Sequence, residues 1–177
     1  VETLMDFSDF QGILRLAENC NGSGDCRKLP ESGGTMCPSY QATRMEKDTT
    51  RARANALREF LTHNVNTNPF GRTELKEVFD LCLSCKGCAN ECPSNVDVAA
   101  LKAEFLYQYQ KVNGVELRTK FIAHNNSLNK WGYLVRPLTN FILANTAFST
   151  FIKKTLKISR NRELPKLSKK RFRSYQR

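Results

Sequence analysis

Seven cysteines are the residues of this sequence best suited to do chemistry, and four of them fall within one run of eleven residues. The run reads Cys82-Leu-Ser-Cys85-Lys-Gly-Cys88-Ala-Asn-Glu-Cys92-Pro93. Its pattern, C-x2-C-x2-C-x3-C-P, is the bacterial ferredoxin spacing for a [4Fe–4S] cluster. Two residues between cysteines let successive thiolates converge on one cubane from a tight loop, and Gly87 lets the backbone come close. The longer last step puts Cys92 at the end of a short helical turn facing away from the first three, and Pro93 stops that turn. In two-cluster ferredoxins the cysteine before proline serves the other cluster. Zinc hooks are usually two well-separated C-x-x-C pairs. Disulfides require an oxidising compartment, and residues 1–7 (Val-Glu-Thr-Leu-Met-Asp-Phe) show no basic region followed by an apolar stretch that would mark export.

The remaining cysteines are Cys20, Cys26 and Cys37, and Cys37-Pro38 ends as Cys92-Pro93 does. The region therefore reads as a stretched first half of an internal repeat. Crossed ligation would place Cys37 with Cys82, Cys85 and Cys88 around one cluster and leave Cys20, Cys26 and Cys92 for a second site. Three thiolates are one short of a full set, so the second site reads as a [3Fe–4S] cluster, a cluster with a non-cysteine fourth ligand, or no cluster. The alternative is a single site of Cys82, Cys85, Cys88 and Cys92. Such clusters move single electrons, at potentials from roughly −700 to +450 mV set by their surroundings. Lys86, Arg27, Lys28, Arg44, Arg51 and Arg53 are near enough in sequence to tune them, although an ordinary surface charge is the plainer reading of each. His63 and His124, the two histidines, read as solvated or packing residues. No residue reads as an acid, base or nucleophile for substrate chemistry.

The elements that must position these cysteines are all helical. Ser8 or Asp9 caps a first predicted helix with Phe10, Ile13, Leu14 and Ala17 on one face, ending near Glu18 or Asn19. Turn-rich loops follow at 21–25 and 30–35. A long helix is expected over 48–62, whose alanines and leucines are strong helix formers, and another over 73–81. Asn95 or Asp97 caps a helix to about Val112, with Asn113-Gly114 as its stop. Further helices are expected over about 116–125 and 137–157, with Pro137 in a first turn. No alternating strand pattern occurs. The expected organisation is an α-helical ferredoxin-like domain over 1–115, a helical extension over 116–157 and a basic linker or tail over 158–177.

Length and charge set the frame. The chain has 177 residues, enough for one domain with a real core, and a net charge of +11. Residues 151–177 carry +10 of that charge and residues 1–150 only +1. The tail lacks any base-reading motif, so a solvated linker is preferred and no nucleic-acid partner is expected. No apolar run approaches the ~18 residues of a membrane span. The most apolar stretch, 131–152, beside the basic tail, fits either peripheral membrane contact or, as the plainer reading, core packing or a partner-facing surface. The sequence starts without an initiator Met, as a processed chain or a segment of a longer one would.

Four stretches together carry a family resemblance. They are Cys20-Asn-Gly-Ser-Gly-Asp-Cys26-Arg-Lys, Gly33-Gly-Thr-Met-Cys37-Pro-Ser-Tyr-Gln-Ala-Thr43, Thr50-Arg-Ala-Arg-Ala-Asn-Ala-Leu-Arg58 and the 82–93 run. They resemble the α-helical ferredoxin segment of large bacterial FAD-linked oxidases of the D-lactate or D-2-hydroxyglutarate dehydrogenase type, related to the iron–sulfur subunit of glycolate oxidase. The Asn95-Val-Asp97 and Leu101-Lys-Ala-Glu-Phe105 residues fit the same group, and 162–173 resembles the linker that follows. The resemblance implies FAD on a separate domain, a further cysteine-rich domain in the same polypeptide, electrons passed through iron–sulfur centres to a downstream acceptor, and a cytoplasmic location, at most at the inner face of the membrane. The other reading is a separate iron–sulfur subunit of a quinone-linked respiratory oxidoreductase. The chain itself shows no glycine-rich dinucleotide fingerprint and no Cys-Cys-Gly motif. Purified anaerobically, it is expected to show broad visible absorbance that bleaches with dithionite, with iron and acid-labile sulfide in the same preparation. A colourless protein holding zinc would overturn the iron–sulfur reading.

Overall fold

A computed structural model describes residues 2–63 and 69–169, and helices are the only regular secondary structure among them. The chain divides into two compact units, Val1–Gly114 and Val115–Arg177.

The described residues of the first unit form six α-helices: α1 Ile13–Glu18, α2 Pro38–Thr43, α3 Thr50–Thr62, α4 Thr73–Asp80, α5 Gly87–Glu91 and α6 Val98–Asn113. The chain does not enter α1 from Ser8. Residues Ser8–Phe10 form a 3₁₀ turn, and the backbone reverses through Gln11 and Gly12, both at positive φ, before α1 begins. Helix α3 starts two residues later than expected because the Thr49 side chain caps it, accepting from the Ala52 N–H at 3.0 Å. Of the two proposed caps for α6, Asp97 serves, accepting from the Ala100 N–H at 3.0 Å. The short helix α2 was not expected. Pro38 opens it, supplying a first helical residue that needs no N–H partner.

These helices pack around one apolar core. Leu16, Ala17, Ala54, Leu57, Leu75, Phe79, Val96, Leu101 and Phe105 are fully or almost fully buried in it. The Phe79 and Phe105 rings stack with centroids 5.2 Å apart, and Phe70 and Tyr109 lean on Phe105 at 6.5 and 5.7 Å. α3 lies against α1, α4 and α6, so a single helix ties both cysteine-bearing stretches to the core. The buried carboxylate of Glu104 on α6 accepts from the N–H groups of Leu4 and Met5 and from Gln108 Nε2. It pins the start of the chain across that helix.

The second unit contains α7 Leu117–Ala123, α8 Asn125–Leu134, α9 Arg136–Ala144 and α10 Thr146–Thr155. The single helix expected over 137–157 is two helices, because Asn145 leaves helical geometry and caps α10 with its side chain. Pro137 sits in the first turn of α9, as expected. Residue α8 Trp131 is 72% exposed, α8 Leu134 69% and α10 Phe151 68%, so these apolar side chains face outward. Asn140 exchanges two hydrogen bonds with the Leu167 backbone, at 3.0 and 2.8 Å, and Tyr133 and Arg136 both donate to the Lys169 carbonyl at 2.9 Å. The start of the basic segment is thus held on α8 and α9. Residues 170–177, the remainder of that segment, lie outside the described residues. Truncation of Phe105, the ring that the other aromatics meet, is expected to cost about 3–5 kcal/mol; a urea midpoint of Phe105→Ala close to the parent's would show that this cluster does not carry the core.

Candidate metal centres

Cys37, Cys82, Cys85 and Cys88 line one hollow, together with Arg53 and Thr50. Each reaches it from a different local structure. Cys37 is the residue before α2, and Cys82 follows the end of α4. The loop from Cys82 turns through Ser84 and Lys86, both at positive φ, and brings Cys85 and Cys88 to the same hollow as Cys82. Cys88 lies in the first turn of α5 and is 8% exposed. Burial pushes its thiol up, while the backbone N–H groups of Ala99 and Val98, at the start of α6, favour the thiolate. The positive end of α6 thus meets the sulfur.

Cys20, Cys26 and Cys92 line a second hollow, with Ser23 and Asp25. Cys20 lies just beyond α1, Cys26 in a 3₁₀ turn over Asp25–Arg27, and Cys92 at the end of α5. Burial also pushes the Cys26 thiol up, opposed by the Arg51 N–H at the start of α3. Two of the three buried cysteines therefore meet the N-terminus of a long capped helix, Cys26 that of α3 and Cys88 that of α6; the third, Cys37, precedes the short helix α2. Thr50 and Met36 border both hollows and form the wall between them.

The donor set fits polynuclear iron–sulfur chemistry. Seven thiols line the two hollows, four in one and three in the other; among the described residues, no group of three or more His, Cys, Asp or Glu is arranged to hold a metal ion. Two residues that line the first hollow also carry a buried polar atom without a hydrogen-bond partner. Thr50 Oγ1 and Arg53 Nη2 are buried with no hydrogen-bond partner, although Nη2 lies 3.7 Å from Asp48 Oδ1 as an ion pair too long for a hydrogen bond. Inorganic sulfide or a thiolate would accept from both.

Arg53 corrects the surface reading of its charge. Its side chain is wholly buried, donating Nε to the Val78 carbonyl at 3.0 Å and Nη1 to the Asp48 carbonyl at 2.6 Å, Ser39 Oγ at 3.0 Å and Cys37 Sγ at 3.4 Å. The other basic residues behave as expected of surface charges. Arg27 pairs with Glu46 at 3.3 Å, Lys28 with Asp25 at 3.3 Å, and Arg51 with Glu46. Arg44 is exposed at the end of α2, and Lys86 is exposed at the rim of the first hollow. His63 pairs with Glu59 at 3.0 Å, and neither it nor His124 lines a cysteine hollow. Two contributors carried no sequence signal. Glu91 accepts from the N–H groups of Thr35 and Met36 at 2.6 and 3.1 Å, which hold its carboxyl below the usual range. Lys102 donates to the Phe79 and Cys82 carbonyls at 2.8 and 2.7 Å, and burial lowers its pKa. Both clamp the backbone beside a cysteine.

Residues 19–97, a little under half of the chain, match the family described as the 4Fe-4S dicluster domain, and helices are the only regular secondary structure among the described residues. The chain is similar to the D-2-hydroxyglutarate dehydrogenases of Haemophilus influenzae (29% identical over 133 residues, 57% of this chain and 12% of that protein), Pseudomonas putida (27% over 149 residues, 61% and 15%) and Escherichia coli (27% over 129 residues, 54% and 13%). The chain thus spans about an eighth of the length of these curated relatives, which fits a domain inside a larger polypeptide. No solved structure matches. Among the described residues, no helix is long and apolar enough to cross a membrane. Arg53→Ala removes the donor shared by Asp48, Ser39 and Cys37 and strands a buried carboxylate; a loss of about 3–5 kcal/mol in urea unfolding is expected, and an unchanged midpoint would contradict a structural role for the guanidinium.

Proposed function

We propose that this chain is the electron-transfer part of a larger FAD-dependent 2-hydroxyacid dehydrogenase, taking electrons from a flavin on another domain and delivering them to a downstream acceptor. Cys37, Cys82, Cys85 and Cys88 would hold one [4Fe–4S] cluster, and Cys20, Cys26 and Cys92 would contribute to a second. The observation that carries this reading is the crossed sorting of seven cysteines into two hollows with a common wall of Thr50 and Met36. The relatives' name supports the 2-hydroxyacid class, and the small share of their length that the chain spans leaves room for FAD and substrate elsewhere.

A bound cluster of this type supplies reversible one-electron transfer. The chain's residues present thiolates, keep water from the buried Cys26 and Cys88, and aim the N–H groups of Arg51, Val98 and Ala99 at the sulfurs. N–H donors to cluster ligands offset negative charge and favour the reduced form. Thiols kept as metal ligands require a reducing compartment, so the cytoplasm is the proposed location. The outward apolar side chains Trp131, Leu134, Leu138 and Phe141 would meet another domain of the same polypeptide, such as the flavin or cysteine-rich domain, or a membrane face.

Cysteine variants examined by EPR separate the two ligation schemes. Cys85→Ala and Cys37→Ala are expected to abolish the same signal, and Cys92→Ala a different one. If Cys92→Ala removes the Cys85-dependent signal while Cys37→Ala leaves it intact, one site of Cys82, Cys85, Cys88 and Cys92 is correct and the crossed scheme fails.

A further inference from the structure

The second hollow has three cysteines, and the backbone shows which residue stands where the fourth would be. From Cys20 the chain places glycines at positive φ two and four residues on, Gly22 (φ 77°) and Gly24 (φ 81°). From Cys82 it places Ser84 (φ 52°) and Lys86 (φ 61°) at the same two offsets. In both loops the residue at the fourth offset is also the N-cap of a short helical segment, Gly24 for the turn over Asp25–Arg27 and Lys86 for α5. The cysteine six residues on in each loop, Cys26 and Cys88, then lies inside that segment, buried, against the N-terminus of α3 or α6. The two loops are one conformation used twice. In that register Ser23 occupies the place of Cys85. Both are exposed, and both line their own hollow.

On this basis, and resting on the two-cluster reading above, we propose that Ser23 is the fourth ligand of the second site, binding iron through its hydroxyl oxygen. The hydroxyl proton leaves to solvent as the alkoxide–iron bond forms, and no electron is transferred in that step. Asn21, Asp25 and Thr50 also bring side-chain oxygen to the hollow. Asn21 Oδ1 accepts from the Ser23 N–H at 3.0 Å, Asp25 stands in the register of Gly87 and pairs with Lys28 at 3.3 Å, and Thr50 lies on α3, outside the repeated loop. An alkoxide is a harder donor than a thiolate and favours ferric iron, so the second site should sit at a lower potential than it would with four cysteines.

The test uses the chain purified anaerobically with its clusters, as wild type, Ser23→Cys, Ser23→Ala and Asp25→Ala. Ser23 is exposed, so these variants should fold, which circular dichroism checks. Wild type is expected to hold two [4Fe–4S] clusters by iron and sulfide count. Brief ferricyanide treatment removes one ferrous ion and one electron from a [4Fe–4S]²⁺ cluster, leaving [3Fe–4S]⁺ with its own EPR signal. Ser23→Ala should give that signal faster than wild type or already as isolated, Ser23→Cys should resist it and raise the potential, and Asp25→Ala should match wild type. A wild type that already holds [3Fe–4S] when isolated without oxygen, with Ser23→Ala indistinguishable from it, overturns the assignment; so does a shift of the cluster type by Asp25→Ala but not by Ser23→Ala. If no signal is lost in Cys92→Ala, it is the two-cluster reading that fails, and the ligand assignment falls with it.

Discussion

Arg53 has no solvent contact, and its donors reach Cys37, Ser39, the Asp48 carbonyl and the Val78 carbonyl at once. Those groups belong to the start of α2, the loop into α3 and the end of α4. The same guanidinium thus holds the Cys37 loop beside the stretch that leads into Cys82. A buried cation is tolerated only when it is paired, and Asp48, 2% exposed, is the counter-ion of Arg53, whose Nη2 is left without a hydrogen bond. With Glu91, which holds the N–H groups of Thr35 and Met36, that clamp keeps the Cys37 loop beside a loop some 45 residues later in the sequence.

The helices do two jobs around this clamp. Their apolar faces form the core centred on Phe79 and Phe105, and their N-termini face buried cysteines. Thr49 and Asp97 close the first turns of α3 and α6, so the N–H groups left over point toward Cys26 and Cys88. Packing, capping and the electrostatics of the site are therefore one arrangement: α3 lies against α6 through the core, and each opens on a hollow.

Much of this was legible beforehand. The 82–93 spacing announced an iron–sulfur site because only a few loop geometries bring thiolates together at those intervals, and the helix formers of 48–62 and the apolar stripe that runs on from Asn95 or Asp97 to about Val112 announced the elements behind it. Three things were not legible. The burial of Arg53 was hidden because an arginine on a helix is usually solvated, and its acceptors come from residues distant in sequence. The break at Asn145 was missed because 137–157 is apolar enough to read as one helix, while an asparagine satisfies a new N-terminus better than it continues an old one. The anchoring of the 35–36 backbone by Glu91 depends on two loops meeting, which no local pattern records.

The sequence by itself determined the chemistry of the ligands, the all-helical class and the uneven charge, since these follow from residue type, spacing and period along one chain. Which cysteines share a hollow was decided by the tertiary structure. Cys37 lies closer in sequence to Cys26 than to Cys82, and Cys92 closer to Cys88 than to Cys20. Yet each lines the hollow of the other group, because a short helix beginning or ending at its proline-linked cysteine turns that thiol away from its neighbours, and the core between α3 and α6 brings the opposite loop to meet it.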